Sequence, residues 1–220
     1  MLQRSTFEFL KAIAANNNRE WFADHKKEYE VALADMHQFT AEVIKGISKV
    51  DPVIPSDLDP KKNVMRIYRD IRFTNDKTPY KINLGAGLSE KGKNFNGAGY
   101  YLHIQRGASF ITGGNWMPEA EQLKAIRQEI DYNGAEFREI LNHPEFKKRF
   151  NGLDQESVLK TCPKGYTSDH PEIEFLKLKS FTATQALSDK LLLSKDAVET
   201  VVSGFAAMYP FMVFLRQAVL

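Results

Sequence analysis

The sequence predicts an α+β fold: a central, mainly antiparallel sheet of about five strands, with helices from both the N- and C-terminal parts of the chain. Three observations predict it. Apolar residues recur at spacings of three and four near both ends. From about residue 64 the pattern changes to alternation, which is the period of a strand. The alternating stretches follow one another on short connections, and that order suits antiparallel pairing better than a βαβ series. No repeat or low-complexity tract divides the chain. A single domain over 1–220 is expected, with the Pro-rich connector at 51–60 as the only contender for a boundary.

The elements are justified in turn. Residues 5–15 predict a short helix capped by Ser5 or Thr6. Asn18, in "NNNREWF", is a good N-cap for a second helix, whose apolar stripe runs through Tyr29, Ala32, Leu33, Met36, Phe39, Val43, Ile44 and Ile47. Asp51-Pro52 ends it, and "DPVIPSDLDPKKN" reads as an extended connector. Strands are expected over 64–72, 82–88, 99–105 and 109–112, with Gly113-Gly114 breaking the sheet. Pro118 suits the first turn of a helix striped by Leu123, Ile126 and Ile130. Shorter helices follow at 137–141 and 144–150, then a polar loop, "CPKGYTSDHPEIE", and a fifth strand over 175–184. Ser194 opens a long C-terminal helix with Val198, Val201, Val202, Phe205 and Met208 along its stripe, and Pro210 kinks or restarts it.

Bulk composition narrows the setting. The lone Cys162 rules out an internal disulfide and fits a reducing compartment, so a cytoplasmic location is expected. Met1 to Asn16 is too polar for a signal peptide. The stretch 206–220 contains Pro210, Arg216 and Gln217, which argues against a membrane span. The net charge of +2 names no partner, but its distribution is uneven. Residues 1–60 hold 7 basic and 10 acidic side chains, residues 61–106 hold 10 and 3, and residues 107–220 hold 13 and 15. The positive field is local to the middle of the chain, where it can steer an anion.

Half of those ten basic side chains lie in "RIYRDIRFTNDKTPYK", residues 66–81. Read as a strand, this stretch puts Arg66, Tyr68, Asp70 and Arg72 on one face and Ile67, Arg69, Ile71 and Phe73 on the other. A carboxylate between two guanidinium groups fixes both forks and leaves donors for a phosphate or carboxylate. Lys77, Tyr80 and Lys81 follow on the next loop. The alternative is that Asp70 and Asp76 pair with these bases to brace the sheet. Arg69 stands out, because a charge on an apolar face must pair, snorkel or sit at a cleft.

The stretch resembles the signature R-x-x-R-D-x-R-F-x-x-[DN]-K-x-x-Y of a widespread bacterial family, found also in fungi and catalogued as a domain of unknown function. Arg66, Arg69, Asp70, Arg72, Phe73, Asp76, Lys77 and Tyr80 match every specified position. "NNNREWF", "CPKGYTSDHPEIEFLKLKSF" and the Gly-Gly pair are similar too, so the resemblance covers essentially the whole chain. It implies no activity, substrate, cofactor or catalytic residue.

A second constellation combines Lys164, Tyr166, Asp169 and His170 with Lys177 and Lys179. His beside Asp suits a general base, and a Lys-Tyr pair can handle protons. The plainer reading is a loop pinned by hydrogen bonds. The Gly-rich "GAGLSEKGKNFNGAGYY" reads as a hairpin loop rather than a phosphate cradle, and Trp116 in "GGNWMPE" reads as a core residue. The five histidines have no metal-ligand spacing, so neither metal nor cofactor is expected.

Candidate ligand-binding residues are therefore Arg66, Arg69, Asp70, Arg72, Lys77, Tyr80, Lys164, Tyr166, His170 and Lys179. The favoured function is binding of a small anionic ligand, with or without catalysis. The alternative is a structural or protein-interaction module whose Arg-Asp network only braces the fold. Single-stranded nucleic acid ranks third. Tyr68, Phe73, Tyr80, Phe95, Tyr100 and Tyr101 could stack bases, but the balance of charge argues against it.

Overall fold

A computed structural model describes residues 1–93 and 96–220 of the chain. The elements in order are α1 (Arg4–Ala15), α2 (Arg19–Asp24), α3 (Lys26–Ile47), α4 (Pro60–Asn63), β1 (Leu84–Leu88), β2 (Gly99–Ile104), β3 (Ser109–Asn115), α5 (Ala120–Tyr132), α6 (Gly134–Asn142), α7 (Pro144–Lys147), α8 (Ile173–Leu176), β4 (Phe181–Leu187), α9 (Asp189–Leu192) and α10 (Ala197–Gln217). The class is α+β, and the antiparallel sheet has the order β1-β2-β3-β4. Among the described residues it holds four strands rather than about five. The residues of the chain cluster into two compact units. One comprises 1–93, 101–111 and 186–203, and the other 96–100, 112–185 and 204–220.

The expected first strand, 64–72, is reduced to two isolated bridges, Val64 with Ala86 and Tyr68 with Tyr80. Between those bridges one side advances by four residues and the other by six, so no continuous ladder can form. The expected alternation of faces fails with it: Ile67 is buried, while Phe73, assigned to the same face, is 93% exposed. The expected fifth strand starts late. Its first residues form the helical turn α8, in which the Glu172 carbonyl accepts from the N–H groups of Phe175 and Leu176, and the strand proper begins at Phe181.

In the first unit α1 lies along α3, with Phe7, Phe9, Leu10 and Ile13 buried on one helix and Met36, Phe39, Val43 and Ile44 on the other. Neither Ser5 nor Thr6 caps α1. Gln3 occupies the N-cap, and Asp35 of α3 accepts from the Gln3 N–H (2.8 Å) and the Thr6 hydroxyl (2.5 Å) instead. Asn18 does cap α2, accepting from the Trp21 N–H at 2.9 Å. The second predicted helix is interrupted at His25, where the Trp21 carbonyl takes both the His25 backbone N–H and its Nδ1 (2.8 Å). The connector after α3 is not wholly extended, since Asp59 caps the single turn α4 through the Lys61 N–H.

In the second unit, Phe137 packs against Phe211 and Phe214, and Phe146 against Phe150 and Phe211. Arg127 donates to the carbonyls of Leu176 (2.7 Å) and Leu178 (3.1 Å). Asp154 accepts from the hydroxyls of Thr182 and Thr184 on β4. Pro118 falls just before the N-cap of α5, Glu119, and not inside the helix. Trp116, read as a core residue, is 71% exposed. Helix α10 is long and apolar enough to cross a membrane by length and composition alone, and it runs through Pro210 without ending. Its Val201, Phe205, Met208, Phe211, Met212 and Leu215 are fully buried.

Gly113-Gly114 does not break the sheet; it lies inside β3. Gly114 has φ +136°, and the Phe181 backbone occupies the space a Cβ would need, with Thr182 Cα at 2.9 Å. Alanine at this position meets both a forbidden dihedral and a backbone collision. Gly114→Ala is expected to lower stability by about 3 kcal/mol, read from the midpoint of urea unfolding, whereas Gly107→Ala, at a turn where φ is +71° but nothing lies within 4 Å of an added Cβ, is expected to cost only about 1 kcal/mol.

Candidate functional site

The segment after α1 and the segment after α4 meet in the first unit. Asn17 uses its amide as a backbone mimic. Its Nδ2 donates to the Tyr80 carbonyl (2.9 Å), and its Oδ1 accepts from the Tyr80 N–H (3.0 Å). One residue on, the Asn18 cap sets the direction of α2, and Phe22 stacks on the Tyr80 ring at 4.0 Å with 19° between planes. Tyr68 closes the group, 5.5 Å from Tyr80 and 6.0 Å from Phe22. Tyr80 is consequently buried, and burial raises its phenol pKa. It holds the local structure and is not placed to touch a ligand.

Arg69 pairs with Asp76 (2.5 Å) and also donates to the Thr78 hydroxyl and carbonyl. Asp76 accepts from the Thr78 N–H (2.9 Å) and hydroxyl (2.8 Å). These bonds from Thr78, followed by the one from Arg69, lower the Asp76 carboxyl to about 2. Asp70 takes the Arg72 guanidinium in a two-point grip, Nε at 2.9 Å and the terminal nitrogen at 2.7 Å, and this depresses the Asp70 carboxyl. Arg72 also lies over Phe73, 5.4 Å from the ring centre. Both pairs are largely solvent-exposed, so they set loop shape more than global stability. Of the two arginines expected around Asp70, Arg72 grips the carboxylate, whereas Arg66 acts on it only through its charge and makes no ion pair among the described residues.

Beside this loop lies an open groove of about 470 Å³, lined by Asn17, Asn18, Arg19, Ile71, Lys77, Thr78 and Pro79. Lys77 donates once, to the Ile71 carbonyl (2.9 Å), and an ammonium has three donors. Arg19 forms no ion pair among the described residues, and no carboxylate lines the groove. Another depression, of about 430 Å³, lies along α1 and α3 and presents Glu8 and Glu28 against Lys27. It includes no residue of the signature and suits an anion poorly.

The chain's match to known proteins bears on this arrangement. The model of the conserved hypothetical protein family DUF2461 matches residues 5–214. The chain belongs to that family. No curated protein and no solved structure matches it. The DUF2461 match spans both walls of the groove, the Asn17–Arg19 wall and the Ile71–Pro79 wall.

The second constellation lies in the other compact unit. His170 Nε2 is 3.0 Å from Asp131 Oδ1, its Nδ1 accepts from the Glu172 N–H (3.1 Å), and Tyr166 meets the ring edge-on at 5.5 Å. Both imidazole nitrogens are engaged, as expected of a pin between α5 and α8. Burial, and then Asp131, raise the Tyr166 phenol. Lys164 and Lys179 are exposed, and Lys177 pairs with Glu174 at 3.3 Å. Of the aromatics proposed to stack bases, Tyr80 and Tyr100 are buried, and Phe95 lies outside the described residues. No group of three or more metal-ligating side chains occurs among the described residues.

Sequence reasoning missed Asn17 and Arg19. The "NNNREWF" stretch was singled out for its cap, but nothing in its spacing announces that the residue before the cap clamps a peptide 63 positions away. Asn17→Ala strands a buried N–H and carbonyl and is expected to cost about 2–3 kcal/mol in chemical unfolding. The pH dependence follows from Asp76. A depressed carboxyl contributes stability above its ordinary value of about 4, and that contribution is lost as pH falls towards about 2. Acid unfolding of Asp76→Asn is expected to show a shallower slope across that window than wild type.

Proposed function

We propose that the chain binds a small anionic ligand, phosphate- or carboxylate-bearing, in the groove lined by Arg19 and Lys77. The observation that carries this reading is the composition of that groove: two cations, two asparagines, a threonine and no carboxylate. Anion recognition needs donors already oriented before binding, and the surrounding pairs supply that order. Arg69–Asp76 and Asp70–Arg72 shape the loop that carries Lys77, and Asn17–Tyr80 fixes the wall that carries Arg19. The signature residues then build the groove, and only Lys77 of them lines it. A cytosolic setting, consistent with the single Cys162, belongs to the same proposal.

The second reading, a purely structural role, draws on Arg69: its bonds are all internal, as a brace requires. A thermal-shift series at fixed ionic strength separates the two. Phosphate, sulfate, nucleotides, sugar phosphates and dicarboxylates are tested on wild type, Lys77→Ala and Arg19→Ala. A ligand at about 100 times its Kd adds roughly 2.7 kcal/mol. Groove binding is expected to give a shift that both variants lose while their own melting temperatures stay near wild type. No shift with any anion favours the brace.

A further inference from the structure

On β2 the side chains alternate. Leu102 and Ile104 are fully buried, and Tyr101, His103 and Gln105 form a half-buried polar row on the opposite face. His103 is fixed there on three sides. Its Nε2 lies 3.0 Å from Gln105 Oε1, its Nδ1 lies 3.2 Å from the Tyr101 hydroxyl and 3.4 Å from Asn83 Nδ2, and Phe110 of β3 stacks on the ring at 4.5 Å and 11°. With Nε2–H donating to Gln105, Nδ1 is left as an acceptor for Tyr101 O–H or Asn83 N–H. The Tyr101 hydroxyl lies over Gly85, where an added Cβ would come within 3.0 Å of the ring.

Three cations gather at the edge of this row. The Met65 N–H donates to the Gly85 carbonyl (2.8 Å) and the Lys81 N–H to the Ile67 carbonyl (2.7 Å), which places Arg66 across from the residues leading into β1. Lys93 reaches the same segment and donates to the Val64 carbonyl at 3.0 Å. Burial, and then Arg66 and Lys93, lower the Lys81 pKa. Burial and Lys81 lower that of His103, opposed by the bond to Gln105. The carboxylate that senses Arg66, Asp70, is already held by Arg72. Among the described residues, no carboxylate pairs with Arg66, Lys81 or Lys93. Like charges on a half-buried surface repel unless an anion joins them.

We propose that this cluster is a second binding site, separate from the groove, which takes a phosphate group between Arg66 and Lys81, beside the Tyr101–His103 row. Several cations without a carboxylate between them match a tetrahedral, multiply charged oxyanion better than a single carboxylate. His103 reports on occupancy, because the charges and dipoles facing it are those of Lys81, Tyr101, Asn83 and Gln105, and an anion beside Lys81 offsets the positive field.

The test is the NMR titration of the imidazole resonance that disappears in His103→Gln. It is followed with and without inorganic phosphate or methyl phosphate at constant ionic strength. Phosphate is expected to raise the His103 midpoint by about half a unit or more. Arg66→Ala and Lys81→Met are expected to abolish the rise, and Lys77→Ala in the groove to keep it. An equal response to methyl phosphate identifies a phosphate ester with its organic part outside the site, and a response to the inorganic ion alone identifies free phosphate. The proposal is overturned if neither anion moves the midpoint in folded wild type, if the rise survives in both Arg66→Ala and Lys81→Met, or if Lys77→Ala removes it.

Discussion

The groove wall depends on one side-chain amide. Asn17 satisfies both backbone polar groups of Tyr80, which the bridge to Tyr68 leaves on the edge away from that partner segment. A buried peptide without partners is costly, so something must replace the missing strand neighbour. Asparagine is suited to this because it carries a donor and an acceptor at the spacing of a peptide group. Aspartate lacks the donor, and alanine lacks both. Once Tyr80 is fixed, its ring stacks against Phe22, and the loop from Arg69 to Thr78 is held at one end.

The basic stretch resolves into two kinds of charge. Arg69 and Arg72 are matched by Asp76 and Asp70 within a few residues of chain and shape a loop. Arg66, Lys77 and Lys81, together with Arg19 from the first segment, have no carboxylate partner among the described residues. Local pairing thus removes part of the positive excess of residues 61–106 and leaves the remainder at the groove and at the polar face of β2. On the proposed reading, the brace and the anion site draw on different residues: Arg69 and Arg72 for the one, Lys77 and Arg19 for the other.

Much of the fold was legible in the sequence. The stripes of α3 and α10 lie where the spacing of their apolar residues puts them, and β2 alternates as its residues do. Periodicity failed at 64–72 because two extra residues on the facing side break the ladder, a feature of register and not of composition. It failed at 175–184 because FLKLKS serves a helical turn followed by an extended segment as well as it serves a strand. Gly113-Gly114 carried the right residue type for the wrong reason: Gly114 admits the close approach of the Phe181 backbone, and the pair lies inside β3 rather than ending it. The candidate site was half legible. Lys77 and the Asp-Arg pairs follow from the signature, but Asn17, Arg19 and the Tyr101–His103 row need long-range contacts that no local pattern encodes.

The central claim is that the Asn17 amide holds the signature loop in place. Native-state hydrogen exchange of the Arg69, Tyr80 and Lys81 amides, compared between wild type and Asn17→Ala, tests it most directly. If the clamp holds the loop, the Tyr80 amide loses its protection in the variant, and Arg69 and Lys81, which donate to Pro79 and Ile67, lose theirs with it, while the amides of α3 keep their protection relative to one another. Unchanged protection at all three amides in folded Asn17→Ala would contradict the account.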